Sequence, residues 1–123
     1  MAFKISVIYG FLEITTKFWT QLCAHSEQMN GPTPSPCHKM IFDPLSKNIF
    51  KLGRYLNNSI RTKEYIKFDF CLYDIRAGIW LQICDDTSQV SGPHLVYDHQ
   101  MCIDAEKRMI YVFGRKVLTP RLK

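Results

Sequence analysis

Short apolar stretches, each bounded by turn residues, recur along this 123-residue chain, and none continues at helical spacing for three turns. Four extended segments are predicted in its middle, at 38–43, 48–53, 66–73 and 79–84. The third begins with apolar and polar residues in alternation, which is typical of a half-buried strand. The polar stretch at 57–63 is predicted to be a long loop, and the segments together predict an all-β chain built from short strands.

The chain repeats itself at a distance of 61 residues. When the sequence is shifted by that distance without a gap, 14 of the 62 compared pairs are identical. Unrelated chains of ordinary composition would give about four. The repeat therefore predicts a tandem structural unit, present about twice.

Four strands per repeat is the pattern of a β-propeller blade, so we expect a partial propeller with half a blade, one full four-stranded blade and half a blade. Strands three and four of one blade fall in 1–30, behind a diverged N-terminus. A full blade occupies 31–91, and strands one and two of the next occupy 92–123. This arrangement predicts about eight strands. Because repeat arrays need about three units for stability, we also expect that the chain does not form a stable closed monomer by itself.

The recurring residues each have a packing role. The tryptophans are expected to be buried against a neighbouring blade, and the tyrosine hydroxyl to reach a backbone group. The glycines allow close backbone approach, the aspartates begin turns, and the histidines are expected to hydrogen-bond nearby backbone. The positions expected to define the repeat are Trp19, His38, Met40, Asp43, Gly53, Tyr73, Asp74, Trp80, His99, Met101, Asp104 and Gly114.

Composition adds little about partners. The formal net charge is +5, but the basic residues are scattered, which argues against a nucleic-acid site. The first 19 residues are too interrupted by charge to span a membrane, and no signal-peptide cleavage site follows them. Five cysteines, an odd number without a C-x-x-C pair, favour a reducing compartment. The sequence thus predicts a cytoplasmic protein.

Catalytic and metal sites have weak support in the sequence. Cys37, His38, His94, His99 and Cys102 supply metal-ligating side chains, but no cysteine pair completes a zinc pattern. Adjacent residues such as Cys37 and His38 face opposite sides of a strand, which disfavours a catalytic thiol. The acidic pair at 85–86 is expected in a solvated turn. We therefore predict a protein that is not an enzyme and has no cofactor.

Several strings resemble a known family. Glycine at the end of the second strand, Tyr73-Asp74, and Trp80 seven residues after the tyrosine resemble the kelch motif. The strings at 37–40, 52–56 and 97–102 are similar to the kelch region of the muskelin family. The second glycine of the kelch pair is missing, because arginine follows Gly53 and Gly114. This resemblance spans about residues 19–118, and since the family's proteins are much longer, it implies a fragment or truncated form.

The resemblance implies a non-catalytic protein-interaction scaffold. Muskelin-type proteins mediate cell spreading and cytoskeletal organisation, and they belong to the CTLH E3 ubiquitin-ligase complex. The implied partners are CTLH-complex subunits, muskelin self-association and cytoskeletal proteins, with neither nucleic acid nor membrane. Two alternatives stay open: a fragment of a kelch-type oxidase enzyme, and a truncated product without independent function.

Overall fold

The computed structural model describes residues 9–32, 38–55, 69–93, 96–114 and 116–117. These residues form ten strands and two short 3-10 helices, Ser26–Met29 and Thr87–Val90, so the predicted all-β class is confirmed. No helix in the described ranges has the length and apolar character that crossing a membrane requires. The strands, numbered in chain order, are β1 Tyr9–Leu12, β2 Trp19–Cys23, β3 Lys39–Asp43, β4 Asn48–Leu52, β5 Phe70–Asp74, β6 Ile79–Cys84, β7 Val96–Tyr97, β8 Gln100–Asp104, β9 Met109–Phe113 and β10 Lys116–Val117.

The central sheet is a four-stranded antiparallel meander in the order β3-β4-β5-β6. Its strands match the segments predicted from the sequence, apart from the start of the third segment and the polar loop at 57–63, which lie outside the described residues. Three further sheets, β1-β2, β8-β9 and β10-β7, have two strands each. The sequence did not predict β7 and β10, because two-residue strands are too short to show an alternating pattern.

The 61-residue period of the sequence is also a period of the structure. Shifted by that distance, β3 and β4 coincide with β8 and β9, while β1 and β2 fall within β5 and β6. The two 3-10 helices coincide as well, and each is followed by a residue with positive φ, Asn30 at 60° and Ser91 at 68°. In both, the hydroxyl of the first helical residue, Ser26 or Thr87, contacts the carbonyl of the proline six residues later. Equivalent positions therefore have equivalent local structure.

The core lies where one repeat meets the next. Cys23, Cys71, Tyr73 and Trp80 form a buried cluster, against which Leu22 packs. Leu22 and Cys23 belong to the first hairpin, whereas the other three residues belong to the central sheet. On the other side of the central sheet, β3 lies beside β8. The sheets therefore follow one another in sequence order, each in contact with the next.

Candidate functional site

Two clusters of side chains in the described chain combine burial with specific contacts. We call the first the repeat junction, which consists of Leu22, Gly31, Tyr73 and Trp80. The second is the polar cluster, which consists of Lys51, Arg54, Asp69 and Thr87. Within the described ranges there is no group of three or more His, Cys, Asp or Glu residues arranged to hold a metal ion. Cys37 and His94, which the sequence suggested as metal ligands, lie outside the described residues.

The repeat junction joins the first hairpin to the central sheet. The Tyr73 ring lies 5.1 Å from the Trp80 ring, and the Tyr73 hydroxyl donates to the Leu22 carbonyl at 3.4 Å. A β-carbon at Gly31 would lie 2.6 Å from the Trp80 indole, so only glycine allows the backbone to cover that ring. The hydroxyl contact of Tyr73 was predicted from the sequence.

The two tryptophans of the repeat differ sharply in burial. Trp80 is 7% exposed under Gly31, whereas Trp19, its equivalent in β2, is 76% exposed. The predicted burial of Trp19 against a neighbouring blade is therefore wrong within the described chain. The physical reason is that Trp80 is covered by the loop that precedes the central sheet, and the described residues include no such loop before the hairpin that carries Trp19.

The expected turn-forming aspartates behave alike. Asp43 accepts the Leu45 backbone N–H at 3.1 Å and the Ser46 hydroxyl at 2.5 Å. Asp74 accepts the backbone N–H groups of Arg76 and Ala77, and Asp104 accepts that of Lys107. Asp86 likewise accepts the N–H of Ser88, so the acidic pair lies in a capped turn as expected.

Gly53 and Gly114 surround the same pair of residues, Val96 and His99. Gly53 has a φ of 79°, and a β-carbon there would collide with the Val96 carbonyl and lie 2.7 Å from His99 Cε1. At Gly114 a β-carbon would lie 2.8 Å from Val96 Cγ2. The next residue after Gly53, Arg54, donates its backbone N–H to the Val96 carbonyl at 3.1 Å. Gly53 therefore permits close packing between adjacent repeats, and Gly114 permits close packing within the last one.

The two repeat histidines also differ. His38 is half-buried beside β3, whereas His99 is fully buried. The backbone of Leu52 is near the His99 ring, but neither ring nitrogen makes a well-formed hydrogen bond with a described residue. Burial lowers the pKa of His99, which favours the uncharged ring. The Leu52 backbone nevertheless acts on His99 as a hydrogen-bonding group and raises its pKa against the effect of burial, so the backbone contact predicted for His99 lies at Leu52.

The remaining repeat positions, Met40 and Met101, lie on β3 and β8. Met40 is exposed and Met101 is half-buried, so neither belongs to the buried core. They occupy the two strands that lie beside each other across the boundary between repeats. Their recurrence is explained by that position.

The polar cluster was not predicted from the sequence. Lys51, Arg54 and Asp69 are buried at the ends of β4 and β5. One Asp69 carboxylate oxygen accepts the Thr87 hydroxyl at 2.8 Å and the Thr87 backbone N–H at 3.3 Å. The Lys51 ammonium donates to the Gly53 carbonyl at 3.5 Å. These contacts tie the loop after β4 to the loop after β6.

Burial shifts the protonation of this cluster. It lowers the pKa of Lys51 to about 8, and it also lowers the pKa of Arg54. Burial raises the pKa of Asp69, while the hydrogen bonds from Thr87 act against that rise. The neighbouring Cys71 thiol has a pKa of about 11, again raised by burial. All four shifts disfavour the charged form, as expected for groups removed from water.

One signal in the sequence points to the polar cluster. The repeat equivalent of Lys51 is Val112, and the equivalent of Asp69 is Ile8. A position that is apolar in one repeat and charged in the other indicates a charge that faces inward. The charges of Lys51 and Asp69 belong to one repeat alone, whereas Arg54 and Thr87 have the equivalents Arg115 and Ser26, so only the lysine and the aspartate are not required by the repeat itself.

Part of the chain is similar to a curated protein. Over 85 residues the chain is 32% identical to Mei4-dependent protein 6 of Schizosaccharomyces pombe (strain 972 / ATCC 24843). The matched part is 68% of this chain and 12% of that protein, so the chain spans only a small share of the relative's length. No family model matches the chain.

These findings correct the identification suggested by the sequence. The resemblance to muskelin and to kelch repeats is wrong, because the relative is Mei4-dependent protein 6 and no kelch model matches. The roles in cell spreading and in the ubiquitin-ligase complex that the resemblance implied are therefore wrong for this chain, and so is the alternative of a kelch-type oxidase. The strings that resemble the kelch motif contain Gly53, which has a positive φ, and Asp74, which accepts a backbone hydrogen bond in its turn. The physical reason for the resemblance is that an antiparallel repeat uses such residues for its local backbone. The general expectation of protein partners stays a prediction.

Proposed function

We propose that this chain is a non-catalytic module of an incomplete β-propeller and that it binds other proteins. The observation that carries the proposal is the 61-residue structural period, in which strands, 3-10 helices and capping residues recur together. Repeats of this kind bury their apolar faces only by stacking on neighbours. The module is therefore expected to act by presenting a surface to which other proteins bind.

The sheet arrangement supports the propeller. The central sheet is a four-stranded meander, as in a propeller blade, and its first strand, β3, lies beside β8, the first strand of the next unit. The preceding hairpin contacts the central sheet through the repeat junction. Successive units thus contact each other along the chain, as neighbouring blades of a propeller do.

Protein binding is supported by apolar side chains that remain exposed. On the first hairpin these include Ile14, Phe18 and Trp19, and on β9 they include Tyr111 and Phe113. Contiguous exposed apolar surface commonly marks a site of protein association. The scattered positive charge gives no comparable argument for nucleic acid or membrane.

The buried polar groups support a structural role for the polar cluster. The Asp69 carboxylate bonds to Thr87, and Lys51 bonds to a backbone carbonyl, so these groups hold strand ends. The cysteines at 23, 71, 84 and 102 are free thiols. Free thiols suit a reducing compartment, and we include a cytoplasmic location in the proposal.

The proposal is tested in the relative. The aligned stretch of Mei4-dependent protein 6 is replaced by the matching residues of this chain, and the proteins bound by parent and chimera are compared by quantitative mass spectrometry. We expect the chimera to retain the parent's bound proteins, because the module supplies an equivalent repeat. A control chimera carrying Trp80→Ala should lose them. A chimera that unfolds cooperatively like the parent but retains none of its bound proteins would contradict the proposal.

A further inference from the structure

The two outer hairpins of the chain are complementary halves of one sheet. The hairpin β1-β2 is equivalent to β5-β6, and the hairpin β8-β9 is equivalent to β3-β4. In the central sheet these halves are joined by pairing between β4 and β5. In the outer hairpins, the described residues of β9 and β1 pair only with β8 and β2. Among the described residues, each half therefore has one strand edge without a partner, at the position where the central sheet has its β4-β5 pairing.

We propose that this chain associates head to tail with a second copy of itself, by pairing β9 of one copy with β1 of the other. The inference deepens the proposed function, since it rests on the repeat architecture and names one protein partner. A second copy fits because its β1 is the repeat equivalent of β5, and β5 is the strand that pairs with β4, the equivalent of β9. The two hairpins of a single chain lie in separate sheets, so the described chain does not satisfy its own edges.

The established pairing fixes the register of the new one. In the central sheet Ile49 lies opposite Tyr73, Phe50 opposite Leu72, and Asn48 opposite Asp74. Shifting each position by the period places apolar side chains opposite each other at the centre of the new pair, including one aromatic pair. The expected partners across the two copies are Met109 with Glu13, Ile110 with Leu12, Tyr111 with Phe11, Val112 with Gly10, and Phe113 with Tyr9.

The exposed state of these side chains agrees with that pairing. Phe11, Leu12, Tyr111 and Phe113 are all exposed large hydrophobic residues. Aromatic and aliphatic pairs across neighbouring strands stabilise antiparallel sheets. An open strand edge flanked by such residues is a template for pairing with another chain.

A second contact follows independently from Trp19. Trp80 is covered by Gly31, which lies in the loop before the central sheet, and the equivalent of that pair is Trp19 with Gly92. In the head-to-tail arrangement, Gly92 of one copy lies in the loop before the composite sheet that contains Trp19 of the other copy. The assembly therefore buries the tryptophan that is 76% exposed in one chain.

Phe18 provides a matched comparison for Trp19. It is 73% exposed in the first hairpin, and its equivalent, Ile79, is still 46% exposed in the complete central sheet. Completing the sheet should therefore cover Trp19 and leave Phe18 in solvent. The two neighbouring aromatic residues thus give opposite expectations for the same association.

The register is tested by disulfide trapping of the whole chain. The variant carries Phe11→Cys and Tyr111→Cys, with Cys37→Ser and Cys102→Ser, because Cys102 lies opposite position 111 within β8-β9. Equal amounts of unlabelled and nitrogen-15-labelled chain are mixed, oxidised and digested, and linked peptides are identified by mass. We expect disulfides between labelled and unlabelled chains. The control, Phe11→Cys with Ile110→Cys, places one thiol on the opposite face of β9 and should give little cross-linking.

Association itself is measured by light scattering across a dilution series. We expect Trp19→Ala to weaken self-association about tenfold, as for a central interface tryptophan, and Phe18→Ala to leave it unchanged.

A sharp monomer at every concentration, disulfides only within one chain, or equal trapping at positions 110 and 111 would overturn the inference. A monomeric chain whose chimera retains its protein partners would overturn this inference alone. Self-association with loss of those partners would overturn only the partner-binding role proposed for the chimera.

Discussion

Arg108 forms an ion pair with Asp43 across the boundary between two repeats, with 2.6 Å between Nη1 and Oδ2. Asp43 ends the first strand of the central sheet, whereas Arg108 lies in the turn between β8 and β9. The hydrogen bond from Ser46 is the main cause that lowers the pKa of Asp43 to about 2, and Arg108 lowers it further against the effect of burial. The pair therefore links packing between repeats to pH.

Removing the arginine should weaken the acid sensitivity of the fold. Because the folded pKa of Asp43 is about 2 and its ordinary value is 3.8, the unfolded chain binds more protons between these values. The free energy of unfolding should thus fall as pH decreases from about 5 toward 2. In Arg108→Gln this pH-dependent loss should be smaller, as measured by urea unfolding at several pH values. Lys107→Gln, in the same turn, should retain the wild-type slope.

Truncating the two repeat tryptophans should have unequal effects on the monomer. Trp80→Ala removes a buried ring and should cost about 3–5 kcal/mol, whereas the exposed Trp19→Ala should stay within about 0.5 kcal/mol. Denaturant midpoints measured at high dilution give the comparison. Equal midpoints for the two variants would show that Trp80 is not a core residue.

Alanine at Gly53 should destabilise the fold far more than alanine at Gly78. Both glycines have positive φ, 79° and 69°, so each substitution should cost about 1–2 kcal/mol for a left-handed backbone. Only at Gly53 would the new methyl group collide with Val96 and His99, which should add about 1–3 kcal/mol. At Gly78 the nearest atom is the Tyr73 hydroxyl oxygen at 3.8 Å. Thermal unfolding of the two variants separates the collision from the backbone strain.

The free energy of unfolding should rise with pH just above 8 because Lys51 is buried. Its folded pKa of about 8 lies below the ordinary value of 10.5, so above pH 8 the unfolded chain holds more protons. The free energy of unfolding should therefore increase between pH 8 and about 9, and Lys51→Met should lack this increase. The raised pKa of Cys71 has the opposite effect above about 9, which sets the upper limit of the window. Lys107→Met serves as the exposed control, and a wild-type rise retained in Lys51→Met would refute the assignment.

The sequence predicted those features that depend on local chemistry and on the period. Asp43 and Asp74 begin turns because a short carboxylate reaches the next backbone N–H groups, wherever the strand lies. The four strands of the central sheet follow from apolar runs between such turns. The repeat then predicted the outer strands, since β8 and β9 have the same bounds as β3 and β4 after the shift.

What the sequence could not predict depends on which surface covers which. Trp19 and Trp80 are identical in pattern, yet one is exposed and the other buried, because burial is decided by the neighbouring unit. Lys51 lies in a strand where a lysine is usually expected to face solvent, yet it is fully buried beside Arg54 and Asp69, which lie outside its own strand. The family assignment failed because short strings that satisfy a turn carry little information about ancestry.

The contact between Gly31 and Trp80 gives the array a direction. The glycine lies before the first strand of the central sheet and the ring it covers lies on the last strand of that sheet, so a substitution at Gly31 should destabilise structure downstream of its own position. Amide hydrogen exchange should then accelerate in β6, whereas the β1-β2 hairpin, which carries no such cover, should exchange at its former rate. The loss of stability caused by the substitution would therefore appear mainly on the C-terminal side of Gly31 rather than equally on both sides.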